Sequence, residues 1–133
     1  LVGFSGVANE HSAKLSRATS ADLEALLRAL WNGVRSAANT RTKTQQSPRL
    51  RVEIAYTAGS EYQIGNLINY VKPVGEGDPR RWSSCEDYRI DLARLAAKID
   101  AAKPRVASVR YAHESDLKVE NVPGSWTKIS LDD

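Results

Sequence analysis

Arginine and lysine side chains grouped without a carboxylate are the chemistry-bearing feature of this chain. Between Arg35 and Arg51 lie five basic residues, Arg35, Arg41, Lys43, Arg49 and Arg51, and no Asp or Glu. That segment alone carries more positive charge than the formal net +3 of all 133 residues. A guanidinium forks onto phosphate oxygens and an ammonium acts as a mobile point charge, so charge of one sign concentrated here suits a phosphate backbone. The bland alternative is a solvated loop flanking a buried strand. Arg80 and Arg81, followed by Trp82, form a second and smaller cationic group. Either a nucleic-acid base stacks on that indole or the indole packs the loop against the fold.

Other chemistry is sparse. His11 and His113 lie near opposite ends of the chain and lack the Cys–His spacing of a zinc site. Cys85 has no nucleophile signature around it and reads as a half-buried residue at a helix start. No Walker loop and no GxGxxG occurs, and Gly75-Glu76-Gly77 reads as a flexible turn. The adjacent acids Glu86-Asp87 suit a helix N-terminus without invoking a metal. The expectation is a protein with no catalytic residue, no metal site and no cofactor.

Length and composition frame these groups. The 133 residues fit one domain, and 26% charged with 41% hydrophobic residues is ordinary for a globular protein. One cysteine forms no internal disulfide, which fits a reducing cytoplasm. No apolar run approaches the ~20 residues of a membrane span. Leu23 to Val34 comes nearest and is broken by Glu24 and Arg28, so no membrane partner is expected. The chain has no methionine and begins at Leu1 inside a strand-like segment, so the expectation is the C-terminal portion of a longer polypeptide.

The elements that must position the basic groups follow from periodicity. Leu1 to Ala8 is apolar and β-prone, bounded by the polar run Asn9-Glu10-His11. A helix is predicted from about Thr19, where Thr19 and Asp22 have capping-box spacing. Leu23, Leu26, Leu27, Leu30, Trp31 and Val34 then recur at three and four, predicting a buried stripe. Pro48 ends any helix, and Leu50 to Tyr56 alternates at period two, with Leu50, Val52, Ile54 and Tyr56 facing a core. Ala58-Gly59-Ser60 reads as a turn, Glu61 to Gly65 as a hairpin partner, and Leu67 to Val74 as a further extended stretch. A second helix is predicted from about Ser84 to Ala102, burying Tyr88, Leu92, Leu95, Ile99 and Ala102, and closed by Lys103-Pro104. A strand through Val106, Val109 and Tyr111 and short extended pieces complete the chain. This order predicts an α+β, ferredoxin-like fold, an antiparallel sheet with two helices on one face.

Five segments in order carry a family resemblance. They are Gly6-Val7-Ala8-Asn9-Glu10, Ala29-Leu30-Trp31-Asn32-Gly33, Asn39-Thr40-Arg41-Thr42-Lys43, Pro48-Arg49-Leu50 and Glu61-Tyr62-Gln63-Ile64-Gly65. Together they resemble the CRISPR Cascade backbone subunits of the Cas-seven family, in particular the Csh-two-like form of the type I-B branch. The likeness spans roughly Phe4 to Lys72. The family pattern has Thr-Arg-Ser-Lys where this chain has Thr40-Arg41-Thr42-Lys43, a conservative departure.

The resemblance implies a modified RNA-recognition fold without catalytic activity. It implies copies of the subunit stacked along a CRISPR RNA, with other Cascade subunits, displaying bases to target DNA. Arg41 and Lys43 are then expected on RNA phosphates, with Arg49 and Arg35 adding to the field and Arg80 and Arg81 as a second group. Two other readings stay open. One is a metal-independent endoribonuclease processing CRISPR transcripts on a ferredoxin-like fold, with His11 or His113 beside Tyr and Lys supplying acid–base chemistry. The other is a purely protein-binding fragment.

Overall fold

Thr19 and Asp22 form the predicted capping box in full. The Asp22 carboxylate accepts from the Thr19 N–H at 2.8 Å, and the Thr19 Oγ1 accepts from the Asp22 N–H at 3.2 Å. Helix α2, Ser20–Ser36, starts from this cap. A shorter helix, α1, Glu10–Ser16, precedes it, capped by Asn9, whose side chain accepts from Ser12 N–H at 2.8 Å, and ended by Arg17 in the left-handed region. A computed structural model supplies these coordinates and describes residues 1–36 and 46–131. The chain divides into two units, one of Phe4–Pro48 with Leu131–Asp133, the other of Leu1–Gly3 with Arg49–Ser130.

Residues 1–36 depart from expectation in two ways. Leu1 to Ala8 forms no strand, and the polar run after it is the start of α1. A β-prone composition makes a strand only where a neighbour satisfies its backbone, and these residues have no ladder partner among the described residues. The apolar stripe of α2 forms, but only Trp31 of it is buried, while Leu26 is 55% exposed. An apolar helix face closes only against a second layer, and α1 contributes no buried residue.

The second unit holds two three-stranded sheets among the described residues. Its elements are β1 Leu50–Tyr56, β2 Lys72–Gly75, β3 Tyr88–Asp91, α3 Ala93–Ala101, β4 Val106–His113, β5 Lys118–Glu120 and β6 Thr127–Lys128. Strands order β1-β4-β6 in one sheet and β2-β3-β5 in the other. Each pairs antiparallel on one side of its central strand and parallel on the other. The protein is α+β, compatible with a ferredoxin-like, RNA-recognition-type fold, with mixed sheets where an antiparallel one is expected.

Strand β1 occupies the predicted residues, with its alternate side chains Leu50, Val52 and Ile54 packed on the core. Its partner is β4, from Leu50↔His113 to Ile54↔Val109, rather than Glu61 to Gly65. That segment is irregular: Ile64 N–H donates to the Tyr56 hydroxyl at 2.9 Å, and Tyr62 meets Tyr56 edge-on. The turn before it forms, with Ser60 N–H donating to Thr57 O at 3.0 Å and Gly59 at φ 75°. Leu67–Tyr70 is one 3₁₀ turn rather than extended chain.

The helix predicted from Ser84 splits. Tyr88–Asp91 is strand β3, and α3 begins only at Ala93, whose N–H donates to the Asp91 carboxylate at 2.9 Å. Tyr88-Arg89-Ile90-Asp91 also alternates at period two, and β2 and β5 supply ladder partners on both sides. The pairing prevails over the helical spacing, yet Tyr88, Leu92, Leu95, Ile99 and Ala102 are all buried as predicted. They share the core with Ile64, Val109, Leu117 and Trp126. Among the described residues no helix is long and apolar enough to cross a membrane.

Candidate nucleic-acid interface

Arg41 and Lys43, the central pair of the basic segment, lie outside the described residues. Their flanks are described. Arg35 is an exposed residue in the last turn of α2, a position where a cation complements the helix dipole. Its guanidinium carbon sits 5.9 Å from the centroid of the Trp31 ring. At the other end the segment runs into β1, and Arg49 and Arg51 each meet a carboxylate there.

Arg49 Nη1 donates to the Glu114 carboxylate and to the Cys85 sulfur, the latter at 2.7 Å. Arg51 pairs with Glu53, which also accepts from Arg110 Nη2 at 2.5 Å. Burial works against the Arg49 charge, but the Glu114 hydrogen bond and the surrounding negative field outweigh it and raise its pKa further. Two of the five cations in the basic segment are therefore matched by carboxylates from outside it, a fact hidden by counting charges along the chain.

Cys85 is buried at a turn before β3 rather than at a helix start. Burial pushes its thiol up, the Glu114 hydrogen bond adds to the effect, and Arg49 only partly offsets it. A protonated, buried thiol is a poor nucleophile. Burial likewise raises Tyr88. His113 Nδ1 lies 2.8 Å from the Glu114 carbonyl oxygen and its ring stacks on Tyr111. His11 is an exposed residue of α1. No group of three or more His, Cys, Asp or Glu suited to a metal occurs among the described residues.

Arg80 and Arg81 sit on the 3₁₀ turn Pro79–Arg81, which Asp78 caps by accepting from Arg80 N–H at 3.0 Å. The Arg80 side chain is 90% exposed and its Nε lies 3.2 Å from Asp78 Oδ1. Trp82 does not stand out as a stacking platform. Its Nε1 donates to Glu76 O at 2.9 Å, and its ring stacks on Tyr88 at 5.5 Å, so the packing reading describes it.

Arg81 lines an open cleft of about 920 Å³ together with Arg89 and Lys118. The last two were missed from sequence. They are direct register partners across the parallel β3–β5 pair, a neighbourhood no local pattern signals. The same cleft is lined by Glu76, Asp78, Glu86, Asp87 and Asp116. Acids outnumber bases there, so the cleft as a whole is no basic groove, and Arg80 and Arg81 remain the secondary group.

Comparison with known proteins bears on the whole arrangement. The family model described as CRISPR-associated protein Cas7 matches residues 1–93. All five segments of the resemblance fall within that match. A Haloferax volcanii protein named CRISPR-associated protein Cas7 is 24% identical over 117 residues, covering 88% of this chain and 34% of the relative. The chain thus spans about a third of that relative's length. With the family model matching well over half of its residues, the chain belongs to the CRISPR-associated protein Cas7 family.

Proposed function

We propose that this protein is a non-catalytic backbone subunit of a type I Cascade effector complex, binding CRISPR RNA through its phosphates. The observation that carries the reading is the match to the Cas7 family over residues 1–93, a stretch that contains the whole acid-free segment from Arg35 to Arg51. In this proposal Arg41, Lys43 and Arg35 face phosphate. Arg80 and Arg81 form a lesser contact, with RNA or a neighbouring subunit. Arg49, matched by Glu114, adds little net field. Contacts of this kind fix register and carry no sequence information, as suits a subunit that must accept any guide.

Copies of the subunit would polymerise along the guide, beside other Cascade subunits, and display its bases for pairing with target DNA in antiviral defence in the cytoplasm. No cofactor enters this role. The test is to purify the protein with its genomic neighbours, extract the bound nucleic acid and sequence it. Uniform RNAs of spacer flanked by repeat are expected. A preparation free of RNA would overturn the proposal and return the basic segment to a solvated surface.

A further inference from the structure

Strand β1 stands at the edge of its sheet. β4 pairs with one side of it, and among the described residues no strand pairs with the other. The Arg49 carbonyl accepts from the Glu114 N–H at 3.0 Å, so Arg49, Arg51 and Glu53 turn their backbone groups toward β4. Leu50, Val52 and Ile54 therefore turn theirs to the open side, where a further strand would bond them. From Arg49 to Ile54 the strand lacks the usual protection of an edge, having no proline, glycine, lysine or bulge. Its two faces differ. Leu50, Val52 and Ile54 pack on the core, whereas Arg51 and Glu53 point to the opposite face, with side chains 11% and 14% exposed. Arg51 pairs with Glu53 there, and Glu53 accepts from Arg110 Nη2 at 2.5 Å.

We propose that the open edge of β1 binds β1 of a second copy of this chain, antiparallel and two-fold symmetric about Val52. The charges select both occupant and register. With Val52 at the centre, Arg51 stands opposite the second copy's Glu53 and Leu50 opposite its Ile54, and symmetry makes each pair twice. A centre on Arg51 or on Glu53 sets that charge against itself, and a centre between two residues brings charged side chains to the apolar face. Val52 is the one centre that matches Arg51 with Glu53. It also aligns the open backbone groups of Leu50, Val52 and Ile54 with the same groups of the second copy. Pro48 would face Tyr56 and, without an N–H, ends the ladder there. Arg51 and Glu53 are already paired within each chain, and the contact joins the two pairs into one alternating network that solvent screens little at this burial. Each chain contributes one edge, so the contact closes at two copies and builds no filament. It is independent of the RNA-backbone reading.

The experiment is sedimentation velocity on the full 133-residue chain, treated with ribonuclease, over a series of protein concentrations. Wild type is compared with Arg51→Glu, with Glu53→Arg and with an equal mixture of the two variants, thermal melts checking that each is folded. Wild type is expected to pass from monomer to dimer as concentration rises. Either variant alone sets two like-charged pairs across the contact and should raise the dissociation constant at least about tenfold. The mixture restores both opposite-charge pairs between unlike chains and should dimerise again. Should a charge variant fail to fold, Val52→Pro carries the comparison: it removes an N–H that the β4 ladder does not use, and it should abolish the dimer. A wild-type chain that stays monomeric overturns the proposal and leaves the edge to a different chain or segment. A mixture of folded variants that stays monomeric overturns it too, as does a Val52→Pro chain that dimerises like wild type, which would place the contact elsewhere. None of these outcomes bears on RNA binding, which is read from the bound nucleic acid before ribonuclease is added.

Discussion

Gly75 and Trp82 approach so closely that a Cβ on Gly75 would stand 2.7 Å from the indole Cζ2. The same Cβ would lie 2.3 Å from the Asp87 carbonyl oxygen, which has no freedom to retreat because β2 and β3 pair through Gly75↔Tyr88. Glycine at this position lets Trp82 lie down on Tyr88 and bond Glu76. It thereby lets one face of the indole pack on Tyr88.

Replacing Gly75 with alanine is therefore expected to destabilise the fold by about 1–3 kcal/mol, the usual cost of overpacking. Urea unfolding followed by tryptophan fluorescence measures it. Stability equal to wild type would show that the close approach does not exist.

For the basic segment, Arg41→Ala and Lys43→Ala should each flatten the dependence of log K on log salt by about one unit. The loss of affinity should be the same for RNAs of unrelated sequence. A variant that loses only some sequences would refute contact with the backbone.

Acid–base chemistry offers a separate check. Wild type, His11→Ala and His113→Ala are all expected to leave CRISPR repeat RNA uncut on denaturing gels. Cleavage by wild type that either alanine abolishes would establish the endoribonuclease reading instead.

Stability should depend on pH through three carboxylates held below their ordinary pKa. Asp22 is lowered by the Thr19 hydroxyl and N–H, Asp87 by the N–H groups of Ser84 and Ser83, and Asp91 by the Ala93 N–H and the Asn121 amide. Each favours the folded state when ionised. The contribution is whole above the unfolded-state pKa and disappears as pH falls through the lower folded value. Asp87→Asn should therefore weaken the fall of the urea midpoint below about pH 4. An acid limb as steep as in wild type would contradict the two serine bonds.

Cys85 should alkylate slowly. With its thiol buried and pushed up, iodoacetamide at mildly alkaline pH should label the folded chain at least about tenfold more slowly than the urea-unfolded chain. Equal rates would place the thiol at the surface.

The features legible in the residues alone are short-range. The Thr19–Asp22 cap, the span of α2 after it, the turn at Gly59 and the alternation of β1 all depend on residues within a few positions of one another, and all are present as read. The inward set from Tyr88 to Ala102 was legible because side-chain burial follows polarity, even where the backbone is strand rather than helix. The tertiary structure decided what needs a distant partner. Leu1 to Ala8 had strand composition but no strand partner among the described residues, while Tyr88 to Asp91 had strand partners on both sides and became a strand. It decided the site in the same way. Arg49 reads as one more exposed cation until β4 brings Glu114 to it across 65 positions of sequence, and Arg89 meets the Glu120 carboxylate only through β5. Ladder bonds and ion pairs gain their energy from whichever groups the fold places within a few ångströms, and spacing along the chain carries no record of that distance.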